Sequence, residues 1–427
     1  AKGKLPVSID DEFKVNEGIE TLEIKRLGFS IPENVGMNSK VLTKIDSIAN
    51  YAISKKMTPG IQVVVARKGK VIYQKSFGNH TYESTQKVNN TDVYDIASLT
   101  KIVATLPNVM QEFDQGHLTL ETKLKTMLPE AKNSNKANAT VLDMLTHQAR
   151  FQPWIPFYKA TLDSLNRPST HFYRSEFSDE FPVHVADKLY LRKNYNDTIV
   201  KTILDSELLP KKQYKYSDFT FILFKEYLEL HNKKSLEDLA HANFFEPLGA
   251  NSIMYNPLRK MNANRIIPTE NDNYFRHQIV QGYVHDMAAA MQGGISGHAG
   301  LFANALDVAK VMQMFLQKGS YGGRTYISES TFNIFNTCYF CKDGNRRGVG
   351  FDKPQLGNEG PTCGCVSLTS FGHTGFTGTM TWADPEKEIV YVFLSNRTFP
   401  DSNATNKLSK ENIRENIQKV IYEAIIE

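Results

Sequence analysis

Runs that read as β-strands stand near both ends of the chain. Near the start, Ile61-Gln62-Val63-Val64-Val65-Ala66 and Val71-Ile72-Tyr73-Gln74 flank Arg67-Lys68-Gly69-Lys70, which predicts a hairpin with a short glycine-containing turn. Near the end, residues 378–383 and 388–395 flank Asp384-Pro385-Glu386-Lys387 and predict a second strand pair. Residues 116–290 read mostly as helical segments joined by long aromatic-rich loops, and residues 159–193 show no clear period. Strands from both ends can share one sheet, so the pattern predicts an α+β fold. An antiparallel sheet flanked by helices is expected, interrupted by a mostly helical lobe. The expected boundaries are an extension or linker over 1–38 and one domain over 39–427. Within that domain, 39–115 and 291–427 form the α/β lobe and 116–290 the helical lobe. Amphipathic spacing further predicts helices over 39–54, 308–317 and 410–426.

Charge and hydropathy exclude two classes of partner. The formal charge is only +4 over 427 residues, with no Lys/Arg-rich block, so nucleic-acid binding is not expected. No apolar run approaches a membrane span. The abrupt start at Ala1-Lys2-Gly3 carries no signal peptide and reads as a processed or excised segment. Four cysteines form two close pairs, Cys338/Cys341 and Cys363/Cys365. Such pairs suit a tetrahedral zinc site, two disulfides or free thiols under a loop, and none of these makes them catalytic.

The chemistry concentrates in three stretches. In the first, Ser98-Leu99-Thr100-Lys101 opens an apolar run, Ile102-Val103-Ala104-Thr105-Leu106. Residues at i and i+3 share a helix face, so the Lys101 amine reaches the Ser98 hydroxyl. A serine needs such a base, and a lysine serves as one if burial or nearby cations depress its pKa. Ser84-Thr85-Gln86-Lys87 has the same spacing but lies in a polar stretch and reads as an inert loop.

The second stretch is Tyr214-Lys215-Tyr216-Ser217-Asp218-Phe219. Tyr216 relays protons if Lys101 depresses its pKa, with Asp218 facing the same cleft. Taken alone, the Tyr-Ser-Asp reads as a helix cap. The third is Ser370 to Thr379, where His373-Thr374-Gly375-Phe376 precedes a strand. Its glycines let a substrate approach an edge strand, and a backbone N–H after Gly375 pairs with that of Ser98 as an oxyanion hole. Read alone, it is a glycine-rich turn. Gln152 and Trp154 are candidates for lining the cleft.

Together, Ser-x-x-Lys, a polar triplet and a Lys-Thr-Gly-type strand resemble the signature of serine β-lactamases and penicillin-binding proteins. The likeness is to the class C branch with its D,D-peptidases and esterases, from about residue 40 onward. Met144-Leu145-Thr146-His147, Phe245-Glu246-Pro247-Leu248-Gly249 and Gly297-His298-Ala299-Gly300-Leu301-Phe302 also look familial. The resemblance implies a β-lactamase/transpeptidase-like fold with the site between its lobes. It implies Ser98 as the acylated nucleophile, Lys101 as its base or proton partner, and Tyr216 as proton shuttle. Asp218 takes the position of the motif's asparagine. His373, Thr374 and Gly375 take the Lys-Thr-Gly strand, with the Phe376 N–H as second oxyanion donor.

Two departures matter. His373 removes the strand's permanent cation. Asp218 replaces an amide with a group that accepts only and holds Lys101 protonated. Both weigh against an efficient β-lactamase. The expected function is a serine hydrolase without cofactor or metal, peptidase- or esterase-like on peptidoglycan-derived or small acyl substrates. A working β-lactamase and a non-catalytic cell-wall or partner-binding module are the rivals. An extracytoplasmic, periplasmic or envelope setting favours disulfides among the cysteines. The stretch Lys2 to Ile9 resembles the tail of bacterial N-acetylglucosaminidase-type glycosidases, which implies a fused upstream glycosidase domain.

Overall fold

Strands from both ends of the chain share one sheet in the computed structural model, which describes residues 3–18, 24–355, 357, 360–402 and 406–426. Lys2, in the glycosidase-like stretch, lies outside them. Six strands make this sheet: β1 (Gly28–Phe29), β2 (Gly60–Arg67), β3 (Lys70–Gly78), β4 (Phe371–Thr374), β5 (Met380–Asp384) and β6 (Ile389–Ser395), in the order β1-β3-β2-β6-β5-β4. All pairings are antiparallel except the short β1–β3 contact, so the sheet is mixed rather than purely antiparallel. The β2–β3 turn places Lys68 and Gly69 at φ 49° and 70°, the left-handed pair that suits a two-residue hairpin.

Side-chain alternation divides the sheet between two cores. On β2, Ile61, Val63 and Val65 face one core, while Val64 and Ala66 face the other. On β6, Ile389, Tyr391 and Phe393 oppose Val390, Val392 and Leu394 in the same way. The first face is covered by α1 (Lys44–Ser54) and, later in the chain, by the helix Ile413–Glu423. The second face packs on Ala305–Leu316 and continues into the helical lobe. A one-residue slip would exchange the two sets, and each fully buried aliphatic side chain contributes about 1.5–3 kcal/mol, so register is strongly set.

The extension expected over 1–38 is partly drawn into the fold. Gly28–Phe29 pairs with β3, Val35 and Met37 are buried, and Met37 bridges to Ile425. The unperiodic stretch 159–193 holds a small sheet of Tyr173–Arg174, Leu189–Leu191 and Val183–Ala186, strands too short to register as periodic. Another small sheet, Tyr94–Asp95 with Leu301–Ala303 and Met254–Tyr255, anchors the approach to Ser98. Of the three readings left open for the cysteines, the structure has two disulfides, Cys338–Cys341 and Cys363–Cys365. No helix among the described residues is long and apolar enough to cross a membrane.

Candidate active site

The chain makes an unusual start into the helix that follows Ser98. Ala97 adopts φ 48°, a left-handed conformation that costs a non-glycine residue roughly 1–3 kcal/mol. Asp95 holds it there: one carboxylate oxygen accepts from the Ala97 N–H at 2.8 Å and the other from the His285 N–H at 2.6 Å. Asp95 is buried, and no local sequence signal marked it. Ser98 then lies in a 3-10 turn (Ala97–Leu99), Lys101 opens a π-helical turn (Lys101–Thr105), and only then does α2 (Leu106–Asp114) begin. The regular helix expected from Ser98 onward is thus replaced by a tight turn and a wide one, a pattern common at functional sites.

The third stretch is stapled to this turn. Thr377 Oγ1 donates to the Asp95 carbonyl at 2.8 Å, and Thr379 Oγ1 to that of Ile96 at 3.1 Å. A Cβ on Gly375 would stand 2.1 Å from Thr379 Oγ1 and 2.8 Å from the Ile96 carbonyl oxygen, so only glycine lets the strand pass this close. The Phe376 N–H has no internal partner among the described residues.

Three groups converge on Lys101, which is fully buried. Its Nζ lies 3.0 Å from Ser98 Oγ, 3.0 Å from the His298 carbonyl and 2.8 Å from Asp218 Oδ1. Two hydrogen-bond acceptors and one carboxylate charge thus surround the amine. Burial alone would lower the Lys101 pKa, but Asp218 and then Tyr216 outweigh it and hold it above the ordinary lysine value. The amine therefore rests protonated, as the carboxylate at position 218 implied, and the condition for a neutral lysine base is not met at rest. Tyr216 donates to Ser98 Oγ at 3.1 Å, and burial pushes its pKa up against the opposing pull of Lys101. The depression that would make Tyr216 a ready base is thus absent at rest. Two donors aimed at Ser98 Oγ stabilise the alkoxide.

Asp218 sits at the N-cap of α3 (Phe219–Asn232) but makes no side-chain cap bond. Its carboxylate turns to Lys101 instead, and the capping role falls to Ser217, whose Oγ accepts the Phe219 N–H at 3.3 Å. Gly297 allows the His298 carbonyl to come so near: a Cβ there would meet the Phe221 carbonyl at 2.0 Å. His298 is itself fixed by Asp286 at 2.8 Å and Ser296 at 2.8 Å.

These groups line a cleft of about 660 Å³. Ser98, Tyr216, Asp218, His373, Thr374, Gly375, Phe376 and Trp154 all border it. Gln152 does not, which corrects that expectation. Its side chain donates to the Glu207 carbonyl at 3.1 Å, and its own carbonyl receives Ser217 Oγ at 2.6 Å. His373 is buried with Nδ1 2.7 Å from the Thr374 carbonyl, so Nδ1 carries the proton. Burial, then Arg347 and Lys101, push its pKa well below the ordinary histidine value, and its Nε2 has no protein partner among the described residues. His147 is kept neutral by the same burial and cations, and its Nδ1 accepts the Ser217 N–H at 3.2 Å.

Arg347 was missed entirely. In sequence Arg346-Arg347 stands between the two cysteine pairs with no motif to mark it. In space Arg347 is buried, borders the cleft, and lies over the Tyr216 ring at 5.3 Å. Asp352 serves both arginines, at 3.0 Å from Arg346 and 3.6 Å from Arg347, so the pair keeps a net positive charge. Arg347 Nη1 has no hydrogen-bond partner among the described residues.

A family model described as Beta-lactamase matches residues 49–412. The chain belongs to the β-lactamase family. The N-acetylmuramyl-L-alanine amidase of Bacillus subtilis (strain 168) is 27% identical over 395 residues, 86% of this chain and 83% of that protein. A protein of Escherichia coli K12 with the provisional name D-alanyl-D-alanine carboxypeptidase is 26% identical over 396 residues, 86% of this chain and 85% of its own length. Among solved structures, EstCE1, a hydrolase with promiscuous acyltransferase activity, superposes with a TM-score of 0.65 at 17% identity, covering 90% of this chain and 99% of that one. This β-lactamase-family chain is a serine hydrolase of amide or ester substrates, and the expected fold class holds.

Proposed function

We propose that this family member cleaves peptidoglycan-derived amides through an acyl-enzyme at Ser98. The observation that carries the reading is the convergence of Lys101 Nζ at 3.0 Å and Tyr216 OH at 3.1 Å on Ser98 Oγ at the cleft floor. Attack by Ser98 on the substrate carbonyl places the developing oxyanion between the N–H groups of Ser98 and Phe376. Once the network has lost one proton, Tyr216 and Lys101 take the Ser98 proton as Oγ attacks and pass it to the leaving amine as the C–N bond breaks. In deacylation they take a proton from the attacking water and return it to Ser98 Oγ. Asp218 keeps Lys101 charged and in place. Trp154 and Thr374 flank the acyl group.

Arg347 supplies the cation that His373 does not, and recognises a substrate carboxylate. His373 Nε2, as an acceptor, takes a substrate N–H or hydroxyl in place of the anion that a lysine would bind. This pairing suits an N-acylated amino acid, which agrees with the names of the amidase and carboxypeptidase relatives. The reading includes an envelope location and a fused upstream glycosidase, the latter supported only by the stretch at the chain start.

Intact-protein mass after brief exposure to a penicillin, for wild type and Ser98→Ala, tests the nucleophile. A stoichiometric adduct on wild type alone is expected. Release of L-alanine from N-acetylmuramyl-L-alanine tests the substrate class. Consumption of the penicillin without an adduct would favour a β-lactamase. Failure with penicillin, the muramyl amide and activated esters alike would sink the catalytic reading and favour a binding module.

A further inference from the structure

A second cluster of ligating side chains lies outside the cleft. His117 Nδ1 and Glu112 Oε2 are 2.9 Å apart, His231 Nε2 and Glu112 Oε2 3.4 Å, and the two histidine nitrogens 3.2 Å. A tetrahedral ion holding such atoms at about 2.0–2.1 Å sets its ligands roughly 3.3 Å from one another, close to this triangle.

Protons alone do not satisfy the three contacts. If both facing nitrogens carry hydrogen, each reaches Glu112 but the 3.2 Å histidine pair is repulsive. If only one does, one nitrogen turns a lone pair towards the carboxylate or leaves its contact without a hydrogen. A cation at the centre satisfies all three lone pairs together.

The surroundings resemble the outer support of a metal site. Glu112 is buried, and its other oxygen accepts from Asn232 Nδ2 at 2.9 Å. Tyr227 approaches Oε2 at 3.4 Å and stacks on the His231 ring at 5.5 Å. Such partners hold ligands in orientation. Both histidines are exposed, which leaves a solvent side for a water ligand.

The position in the fold matters most. Glu112 lies in the last turn of α2 with His117 just beyond it, and His231 lies at the end of α3. The opposite ends of these two helices follow Lys101 and Asp218. We propose that Glu112, His117 and His231 bind a divalent transition-metal ion of the zinc type, with water completing the tetrahedron. The ion clamps together the far ends of the two helices that position the catalytic pair. Two imidazoles favour zinc and its neighbours over calcium or magnesium.

The test uses metal-stripped protein and added Zn2+, with elemental analysis after desalting and calorimetric titration. One zinc per chain is expected for wild type. His117→Gln, a change at an exposed side chain, and His231→Gln should each lose it. Asn232→Ala, which touches Glu112 but not the ion, should weaken binding about 10–100-fold. Zinc at a hundredfold excess over Kd should raise wild-type Tm on the order of 3 °C and leave His117→Gln unmoved. Cobalt should show tetrahedral visible bands in wild type only. Wild type that retains no zinc, or glutamine variants that bind it as tightly as wild type, would overturn the proposal.

Discussion

The Lys101 ammonium and the Asp218 carboxylate stand 2.8 Å apart at the base of the cleft, joining the helix that follows the nucleophile to the helix that follows Tyr216. The pair decides the resting protonation of the site. With Lys101 charged and Tyr216 neutral, Ser98 Oγ faces two donors. One proton must therefore leave this network before the hydroxyl can be deprotonated, so acylation should accelerate with rising pH.

Asp218→Asn tests this directly. Asp218 raises the Lys101 pKa, so its removal lets burial lower that pKa. The rising limb of kcat/KM against pH should move to lower pH in the variant. A limb that stays in place, measured with an activated ester, would show that Asp218 does not set the charge of Lys101.

Arg347→Gln should separate charged from neutral substrates. Loss of a buried, cleft-facing guanidinium should lower kcat/KM for a carboxylate-bearing amide roughly 10–100-fold. A neutral ester of the same acyl group should change little. Equal losses on both would mean that Arg347 acts by propping the Tyr216 ring, which it overlies at 5.3 Å.

Gly375→Ala should nearly abolish acylation while the protein still folds. The added methyl meets Thr379 Oγ1 at 2.1 Å and the Ile96 carbonyl at 2.8 Å, so strand β4 must retreat from the Ser98 turn. Overpacking of this kind costs about 1–3 kcal/mol. Denaturant melts and penicillin labelling rates together check both halves of the prediction.

Glu270 provides a stability prediction away from the chemistry. Burial raises its pKa, but His285 at 3.0 Å and hydrogen bonds from Ser402 outweigh it and bring the carboxylate to about 2, from an ordinary 4.5. The folded state then binds the Glu270 proton less readily than the unfolded chain, so its contribution is present above pH 4.5 and fades as pH falls towards 2. Glu270→Gln should cost on the order of 2 kcal/mol at pH 6, with the difference from wild type narrowing below pH 4.5. A difference constant from pH 6 to 3 in urea melts would contradict it.

Patterns that repeat locally were legible in the chain. The β-branched runs of β2 and β6 foretold a sheet built from both ends, while the division of their alternate side chains between two cores follows from the strand period of two. Ser98 and Lys101 were legible because they stand only three positions apart. Asp218 was readable as a position but not as a partner. Its side chain had a local role available as a helix cap, and only the approach of α3 to the Lys101 turn drew it away. Arg347 and Gln152 show the same limit in opposite directions: one carried no local signal and is buried at the cleft, the other looked like a cleft residue and braces a loop. Ala97 is strained by Asp95, which itself is held by the distant His285 N–H. The sequence by itself determined the main strands at both ends and which of its residue types could serve as a nucleophile and base. Which polar groups meet was decided by tertiary structure, because Ser98 and Tyr216 are 118 residues apart and only packing of the two lobes closes that gap.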